Sequence, residues 1–553
     1  MKRYLLCFLV FLFAFSAYGK HGEPVKRPKL VVGLVVDQMR WDYIYRYSTR
    51  YGNGGFKRLL REGFNCQNTM VNYMPTYTAP GHSCIYTGSV PSIHGIAGNY
   101  WIDNQTGENQ YCVDDKKVWL AGDSSRKKSF SPRNLLVTTI TDELRLATNF
   151  RSRVYGVAIK DRGSILPAGH TANAAYWYND KTGDFVTSTY YAEAYQNPPW
   201  LKAFNERKLA NKLVAQGWVP GDSMNTYTQS TVDNTEYEDT FKGETRPVFP
   251  HKFSSADGLS ALRTIPAGNT LTLEMAKACL AGAEGGKLGG GSETDFLCVS
   301  LSSTDYAGHQ YGPNAIEMED MYIKLDSELA SFLSYLDKTV GQGNYLFFLT
   351  ADHGGAHNPK FLTDNKIPAG VAFNTVAAHL NQYLKEIYKK DVRFVDTFLN
   401  YQVYLNETLL KNNKEFNRDE IKLSIRKWLL DEMPLKDNVS VSYVVDMEDL
   451  RKTPVPEPIY TMAVNGYNYL RSGCLQVVYS PGWFENYHLQ GTTHGSWNPY
   501  DAHIPLLWFG WHIPKGETHD VVNMTDISPT LAAILNIQMP NGSIGKPIKG
   551  LVK

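Results

Sequence analysis

Five short apolar runs punctuate the chain: Leu30–Val36, Val154–Ile159, Phe296–Leu301, Tyr345–Leu349 and Ile504–Phe509. Each is continuous and rich in Val, Leu, Ile and Phe instead of alternating apolar with polar. That pattern predicts buried parallel strands covered on both faces. Between the runs the apolar spacing becomes helical, across Ile316–Val340 and again where Val376, Leu380, Tyr383, Leu384 and Ile387 share one face. Strands alternating with helices predict an α/β fold, with a central largely parallel sheet sandwiched between helices. Two intervals fit this rhythm poorly, about 101–250, rich in Tyr, Asn, Thr and Trp, and about 368–474. Both read as inserted cap elements within one domain spanning residues 20–553. The glycine-rich run 285–292 lacks the Lys-Ser/Thr ending of a phosphate-binding loop and reads as a surface turn.

The first 19 residues depart from this pattern. Two cations, an apolar core from Leu5 to Phe15 and the small-residue ending Ala17-Tyr18-Gly19 form a cleavable signal peptide, so the mature protein is expected in the periplasm or outside the cell. No later apolar run is long enough to cross a bilayer. Cleavage removes Lys2 and Arg3 from the 56 basic residues and none of the 55 acidic ones, leaving 54 against 55. That balance gives no electrostatic case for nucleic acid. Six cysteines remain; export permits disulfides among them, with fifteen possible full pairings, and no CxxC pair points to a thiolate zinc site. A monomer is compatible with all of this.

Three strand candidates run into carboxylates: VVGLVVDQ into Asp37, FLCVSLSSTD into Asp305 and YLFFLTADHG into Asp352. In an open parallel sheet, ligands gather at the carboxyl ends of strands. One Asp at such a place is usually a loop or helix cap, but here two of the three have histidines beside them. Asp305 and His309 are four apart, on one face of a helical turn. Asp352 is followed by His353 and a Gly-Gly turn, and His494 adds a third imidazole from a later loop. Oxygen and imidazole donors without thiolates suit zinc or a similar first-row cation. Six ligands are too many for one catalytic ion and divide into three per ion, the arrangement that clamps an in-line displacement at phosphorus. Upstream, YMPTYTAPGHSCIYTG places Thr78 where a helix should begin, either as its N-cap or as a nucleophile beside free N–H groups. Lys160 and Arg162, two apart after a buried strand, would face the same way on an extended segment.

The stretches VVDQMRWDY, MPTYTAPGHSCIYTGSVPSIHGIAGNYW, KDR, SSTDYAGHQYGP, TADHGG, GTTHGSWNPYDAHIPLLWFG and TDISPTL together resemble the alkaline phosphatase superfamily. The resemblance is closest to its secreted, Thr-nucleophile, phosphate-irrepressible alkaline phosphatase branch, and it runs from Asp37 to Leu531. It implies two zinc ions. Asp37, Asp352 and His353 would hold the one that meets Thr78, and Asp305, His309 and His494 the other. It further implies that Asn99, Lys160 and Arg162 contact the phosphate oxygens. No third acidic set for magnesium is evident, and Lys160 is the natural substitute for that ion.

The activity this implies is phosphomonoester hydrolysis through a covalent phosphothreonine, giving an alcohol and inorganic phosphate from small esters. The nearest rival is a phosphodiesterase of the same superfamily, which the two cations disfavour because a diester carries less charge. A sulfatase would need Cys or Ser at position 78, and an exported chain has little use for the glycolytic substrates of the related mutases. A non-catalytic periplasmic phosphate or metal binder would leave Thr78 idle. His82 reads as a packing or supporting residue, and His94, His357 and His503 have no required role.

Overall fold

The fold is that of a computed structural model, which describes residues 25–253 and 258–552. The expected signal peptide lies outside the described residues. A ten-stranded sheet forms the centre, its strands numbered here in chain order. They are β1 (Leu30–Val36), β2 (Phe64–Met70), β3 (Val154–Ala158), β4 (Ala174–Asn179), β5 (Asp184–Val186), β6 (Asp295–Leu301), β7 (Tyr345–Thr350), β8 (His503–Ile504), β9 (Leu506–Gly510) and β10 (Gly516–Asn523). The order across the sheet is β8-β2-β9-β7-β1-β6-β3-β4-β5, with β10 pairing on β2.

The middle of the sheet, β7-β1-β6-β3-β4, is wholly parallel. Every residue of β1, β6 and β7 is buried, which is why these runs are apolar without alternation. The outer pairs β9 with β7 and with β2, and β5 with β4, are antiparallel. The run Ile504–Phe509 is therefore not the parallel strand its composition predicts. Pro505 divides it into β8 and β9 and has no N–H to donate to a ladder, while its carbonyl accepts from Thr350 Oγ1 at 2.8 Å. Burial on both faces makes a parallel and an antiparallel strand look alike in sequence.

Four helices matter for the site: α1 (Thr78–Thr87), α2 (Asp161–Ala168), α3 (Ser303–Tyr311) and α4 (Ile316–Leu336). All ten residues of α1 are buried, and it lies close against the sheet at Gly33, where a Cβ would fall 2.4 Å from Tyr86 Oη. Two of its hydroxyls are satisfied within the helix, Ser83 and Thr87 donating to the carbonyls four residues back at 2.8 and 2.7 Å.

Residues 154–186, inside the first irregular interval, supply β3, β4 and β5 to the sheet. The second interval builds a separate four-stranded antiparallel sheet, ordered Val395–Leu399, Gln402–Leu405, Leu475–Tyr479 and Val441–Asp446. It has its own apolar cluster around Val403, Trp428 and Leu475, and the helix Val376–Tyr388 packs into it through Val376, Leu380 and Leu384, leaving Ile387 exposed. Tyr401, in the turn between the first two strands of this sheet, donates to the His494 carbonyl at 3.1 Å, tying the cap to a loop of the site. All six cysteines are buried free thiols, so the disulfides that export permits are not formed.

Candidate active site

The side chains singled out in sequence leave the sheet at the carboxyl ends of four adjacent strands. Asp37 follows β1 directly, Asp352 and His353 follow β7, Asp305 follows β6 in the first turn of α3, and Lys160 follows β3. Chain twist and strand pairing thus bring together residues up to 316 positions apart in sequence. The parallel centre of the sheet turns all four ends the same way, as the rule for open α/β sheets requires.

Asp37, Asp305, Asp352 and His353 are buried, and His494 is 4% exposed. His309 Nε2 lies 3.3 Å and His494 Nε2 3.5 Å from Asp305 Oδ1. His353 Nε2 lies 3.7 Å from Asp37 Oδ1 and 3.5 Å from Asp352 Oδ2, and its ring stacks on that of His494 with 3.5 Å between centroids. Ligand atoms of Asp305, His309 and His494 all fall within 4.8 Å of one another, and so do those of Asp37, Asp305 and His353. Asp305 thus stands at the junction of the two groups.

Each imidazole is held the same way from behind. Nδ1 of His309, His353 and His494 faces a backbone carbonyl, of Thr492, Gly354 and Thr76, at 2.9, 2.9 and 2.7 Å. A carbonyl only accepts, so Nδ1 carries the proton and Nε2 presents its lone pair to the cluster, the tautomer a metal ligand needs. Two carboxylate oxygens, Asp37 Oδ1 and Asp352 Oδ2, are buried and accept no hydrogen bond. Orphaned anionic oxygens beside three oriented imidazole lone pairs fit a bound cation of the zinc type.

Charge in the cluster is finely divided. Burial, then the neighbouring Asp352, pushes Asp37 well above the usual carboxylate range, while burial acts against charge on Asp305 but is overcome by Lys160, His309 and His494, which hold it well below. Burial, then His353 and His309, pushes His494 well down and keeps it neutral. Burial opposes charge on Lys160 as well, yet Asp305 and Asp37 raise it, so it stays an ammonium. Its Nζ bridges Asp37 Oδ2 at 2.8 Å and Asp305 Oδ2 at 2.5 Å.

Thr78 opens α1 at its first residue and is not the cap; Tyr77 occupies that place, with extended backbone and no side-chain capping bond. The Thr78 hydroxyl is therefore not spent on the helix. Its Oγ1 lies 3.4 Å from Lys160 Nζ and 3.4 Å from His353 Nε2. Asn99 Oδ1 accepts from the Ala79 N–H at 2.9 Å, so its amide N–H₂ is the side left to donate. Lys160 and Arg162 do not share an extended segment: Lys160 is the N-cap of α2 and Arg162 its second residue. The strand ends at Ala158, and Lys160 N donates to Ser302 Oγ at 3.2 Å as the chain turns. Arg162 Nη1 donates to Tyr111 Oη at 3.2 Å, and its buried Nε has no partner.

Sequence reasoning missed Gln38, whose Nε2 donates to Asp305 Oδ1 at 2.9 Å and whose N–H reaches Asp352 Oδ1 at 3.2 Å. Its only signal is adjacency to Asp37. His82 does support the site, its Nδ1 facing the Thr78 carbonyl at 2.9 Å and its Nε2 facing Ser300 Oγ at 2.8 Å. His94, His357 and His503 make structural contacts only, with Ile96 N, Asn314 Oδ1 and the Gln67 carbonyl.

Residues 31–501 match the model of a family described as type I phosphodiesterase / nucleotide pyrophosphatase. The chain belongs to that family, within the alkaline phosphatase superfamily. Three relatives align over nearly their whole length. A protein of Myroides odoratus named calcium-transporting ATPase is 50% identical, over 96% of each chain. Alkaline phosphatase PhoV of Synechococcus elongatus is 48% identical, over 100% of each. Alkaline phosphatase PafA of Elizabethkingia meningoseptica is 46% identical, over 100% of this chain and 99% of that one. The crystal structure of wild-type PafA superposes with a TM-score of 0.90 at 45% identity, covering 96% of this chain and 100% of the other. The α/β fold with its large, mostly parallel central sheet is thus the fold of that enzyme.

Proposed function

We propose that this chain is an exported, metal-dependent alkaline phosphatase that hydrolyses small phosphomonoesters through a phosphothreonine on Thr78. The observation that carries this reading is the Thr78 hydroxyl, 3.4 Å from both a buried ammonium and an oriented imidazole, at the edge of a cluster of Asp37, Asp305 and three histidines that Asp352 joins through His353. The alkaline phosphatases PhoV and PafA, similar over the full length, support it.

Asp37, Asp352 and His353, together with Thr78 Oγ1, would hold one zinc ion, and Asp305, His309 and His494 a second. Such ions supply Lewis acidity toward the ester oxygens and lower the proton affinity of hydroxyls within reach. Thr78 Oγ1 loses its proton to water and forms a bond to phosphorus as the bond to the organic oxygen breaks, and the departing alkoxide takes a proton from water to leave as the alcohol. A water molecule then forms the new phosphorus–oxygen bond, the Thr78 ester breaks, and Thr78 regains a proton. Two displacements give retention at phosphorus. Lys160 and Arg162 offset charge on the non-bridging oxygens, and the Asn99 amide, fixed by Ala79, donates to one of them.

The family's description keeps phosphodiester cleavage as the second reading. The buried Lys160 and the half-buried Arg162 favour the more highly charged monoester. Calcium transport, named for the Myroides relative, draws no support from the helices: among the described residues none is long and apolar enough to cross a membrane. The test compares p-nitrophenyl phosphate with its bis-ester and with the sulfate, with zinc and after chelation. Faster cleavage of the bis-ester would overturn the monoesterase assignment, and no turnover of any ester would point to a binding protein.

A further inference from the structure

A cleft of about 500 Å³ opens beside the carboxylate and imidazole cluster. His309 belongs to both, and Tyr77, immediately before Thr78, forms part of the cleft wall. An ester whose phosphorus lies against Thr78 Oγ1 has this cleft next to it for its organic group. A second cavity, of about 620 Å³ around Trp218 and Lys324, is lined by none of the site residues.

The cleft wall combines the rings of Tyr77, Phe398 and Tyr487 with a single carboxylate, Glu485. Glu485 lies on the strand Trp483–Asn486, which pairs with Gly370–Phe373. Burial alone pushes its carboxyl up to about 8; no cation and no hydrogen-bond donor of the described residues acts on it in the other direction. Its charge is felt by Tyr77 and Tyr401, whose rings stack 6.4 Å apart, so the carboxylate sits beside the aromatic wall. Tyr487 leans on little else, being 79% exposed.

An unpaired, half-buried acid among aromatic faces is complementary to an organic cation, which gains from both the carboxylate and the rings. A neutral organic group would leave the acid without a partner, and an anionic one would be repelled. We propose that the cleft receives the organic group of phosphomonoesters whose alcohol carries an ammonium, with Glu485 as counter-charge and Tyr77 and Tyr487 as walls. The assignment rests on the phosphomonoesterase reading above and names its substrate class.

The experiment compares kcat/KM for phosphocholine with that for 3,3-dimethylbutyl phosphate, its uncharged isostere, at about pH 9, where both the acid and the quaternary cation are charged. Phosphocholine is expected to be favoured by about tenfold or more. In Glu485→Gln the ratio should fall to near one, and in Tyr487→Ala to an intermediate value. Because the ratio is internal to each variant, it is read independently of how much folded enzyme survives. Equal kcat/KM for the two esters in the wild type, or a ratio unmoved by Glu485→Gln, would overturn the proposal, as would a clear preference for adenosine monophosphate over both. Turnover of p-nitrophenyl phosphate in the same preparation separates the two readings. Its absence removes the phosphatase assignment itself, whereas its presence with a ratio of one removes only the cleft assignment.

Discussion

Lys160 Nζ lies 3.4 Å from Thr78 Oγ1 while it bridges Asp37 and Asp305. One buried ammonium therefore serves the acid cluster and faces the hydroxyl at the same time. This double position makes its removal informative.

Lys160→Ala is expected to lower kcat/KM for p-nitrophenyl phosphate by about 10²-fold to 10³-fold, and for the bis-ester by much less, since the diester offers less charge to neutralise. The metal-free variant should also lose about 3 kcal/mol or more in urea unfolding, because Asp37 and Asp305 are left buried without a counter-charge. Equal losses for both esters would show that Lys160 does not discriminate between them.

Thr78→Ala should reduce monoester turnover by about a thousandfold or more, with Thr78→Ser retaining most of it. Acid quenching during turnover should recover phosphate on Thr78 by peptide mass spectrometry in the wild type and none in the alanine variant. Unchanged turnover in Thr78→Ala would remove the covalent mechanism.

Gly81 lets α1 approach the loop that carries Asp352: a Cβ there would fall 2.5 Å from the Asp352 carbonyl oxygen and 2.7 Å from its Cβ. Gly81→Ala must shift the helix or the loop, and with it Thr78 relative to its neighbours. An activity loss of about 10²-fold is expected, with far-ultraviolet circular dichroism unchanged. Full activity would mean that the Thr78 position tolerates the shift.

Chelation should abolish turnover and lower the thermal midpoint, and zinc should restore both. An ion at a hundred times its dissociation constant adds about 2.7 kcal/mol per site. A midpoint unmoved by chelation, with activity intact, would contradict the reading of the orphaned oxygens on Asp37 and Asp352 as ligands.

His251, away from the catalytic cluster, lies between Glu244 at 3.0 Å and Glu317 at 3.3 Å. Burial opposes its charge, yet hydrogen bonds to Glu244 and Glu317 raise it to about 9. Glu317 is itself pushed up by burial, so the side of His251 facing Glu244 is the firmer anchor of the proton. A raised folded value means that the stabilisation is fully present below about pH 6.5 and is lost as pH rises through about 9. It amounts to about 3 kcal/mol. Urea unfolding of wild type and His251→Gln should show a stability gap that is widest near pH 6 and narrows toward pH 9.5; a gap that widened would contradict the assignment.

Much of this site was legible because the chemistry stands at strand ends. Asp37, Asp305 and Asp352 follow continuous apolar runs, and a buried strand can end in a carboxylate only where something awaits the charge. The backs of the imidazoles were not legible. The carbonyls of Thr76, Gly354 and Thr492 that fix the tautomers belong to residues whose side-chain identity is irrelevant to that task. Gln38 was invisible for a related reason: its amide reaches Asp305 only because β1 and β6 pair.

The sequence by itself determined the apolar strands, the i to i+4 pairing of Asp305 with His309 and the inventory of donors, because these depend on local periodicity and on which atoms a residue carries. Only the tertiary structure decided the direction of β9, the place of Thr78 inside its helix instead of at the cap, and the unpaired state of Glu485. Strand direction, helix phase and the absence of a counter-ion are set by which distant segments pack together. Burial on both faces, and a helix start that admits either Tyr77 or Thr78 as cap, read the same along the chain until the packing is known.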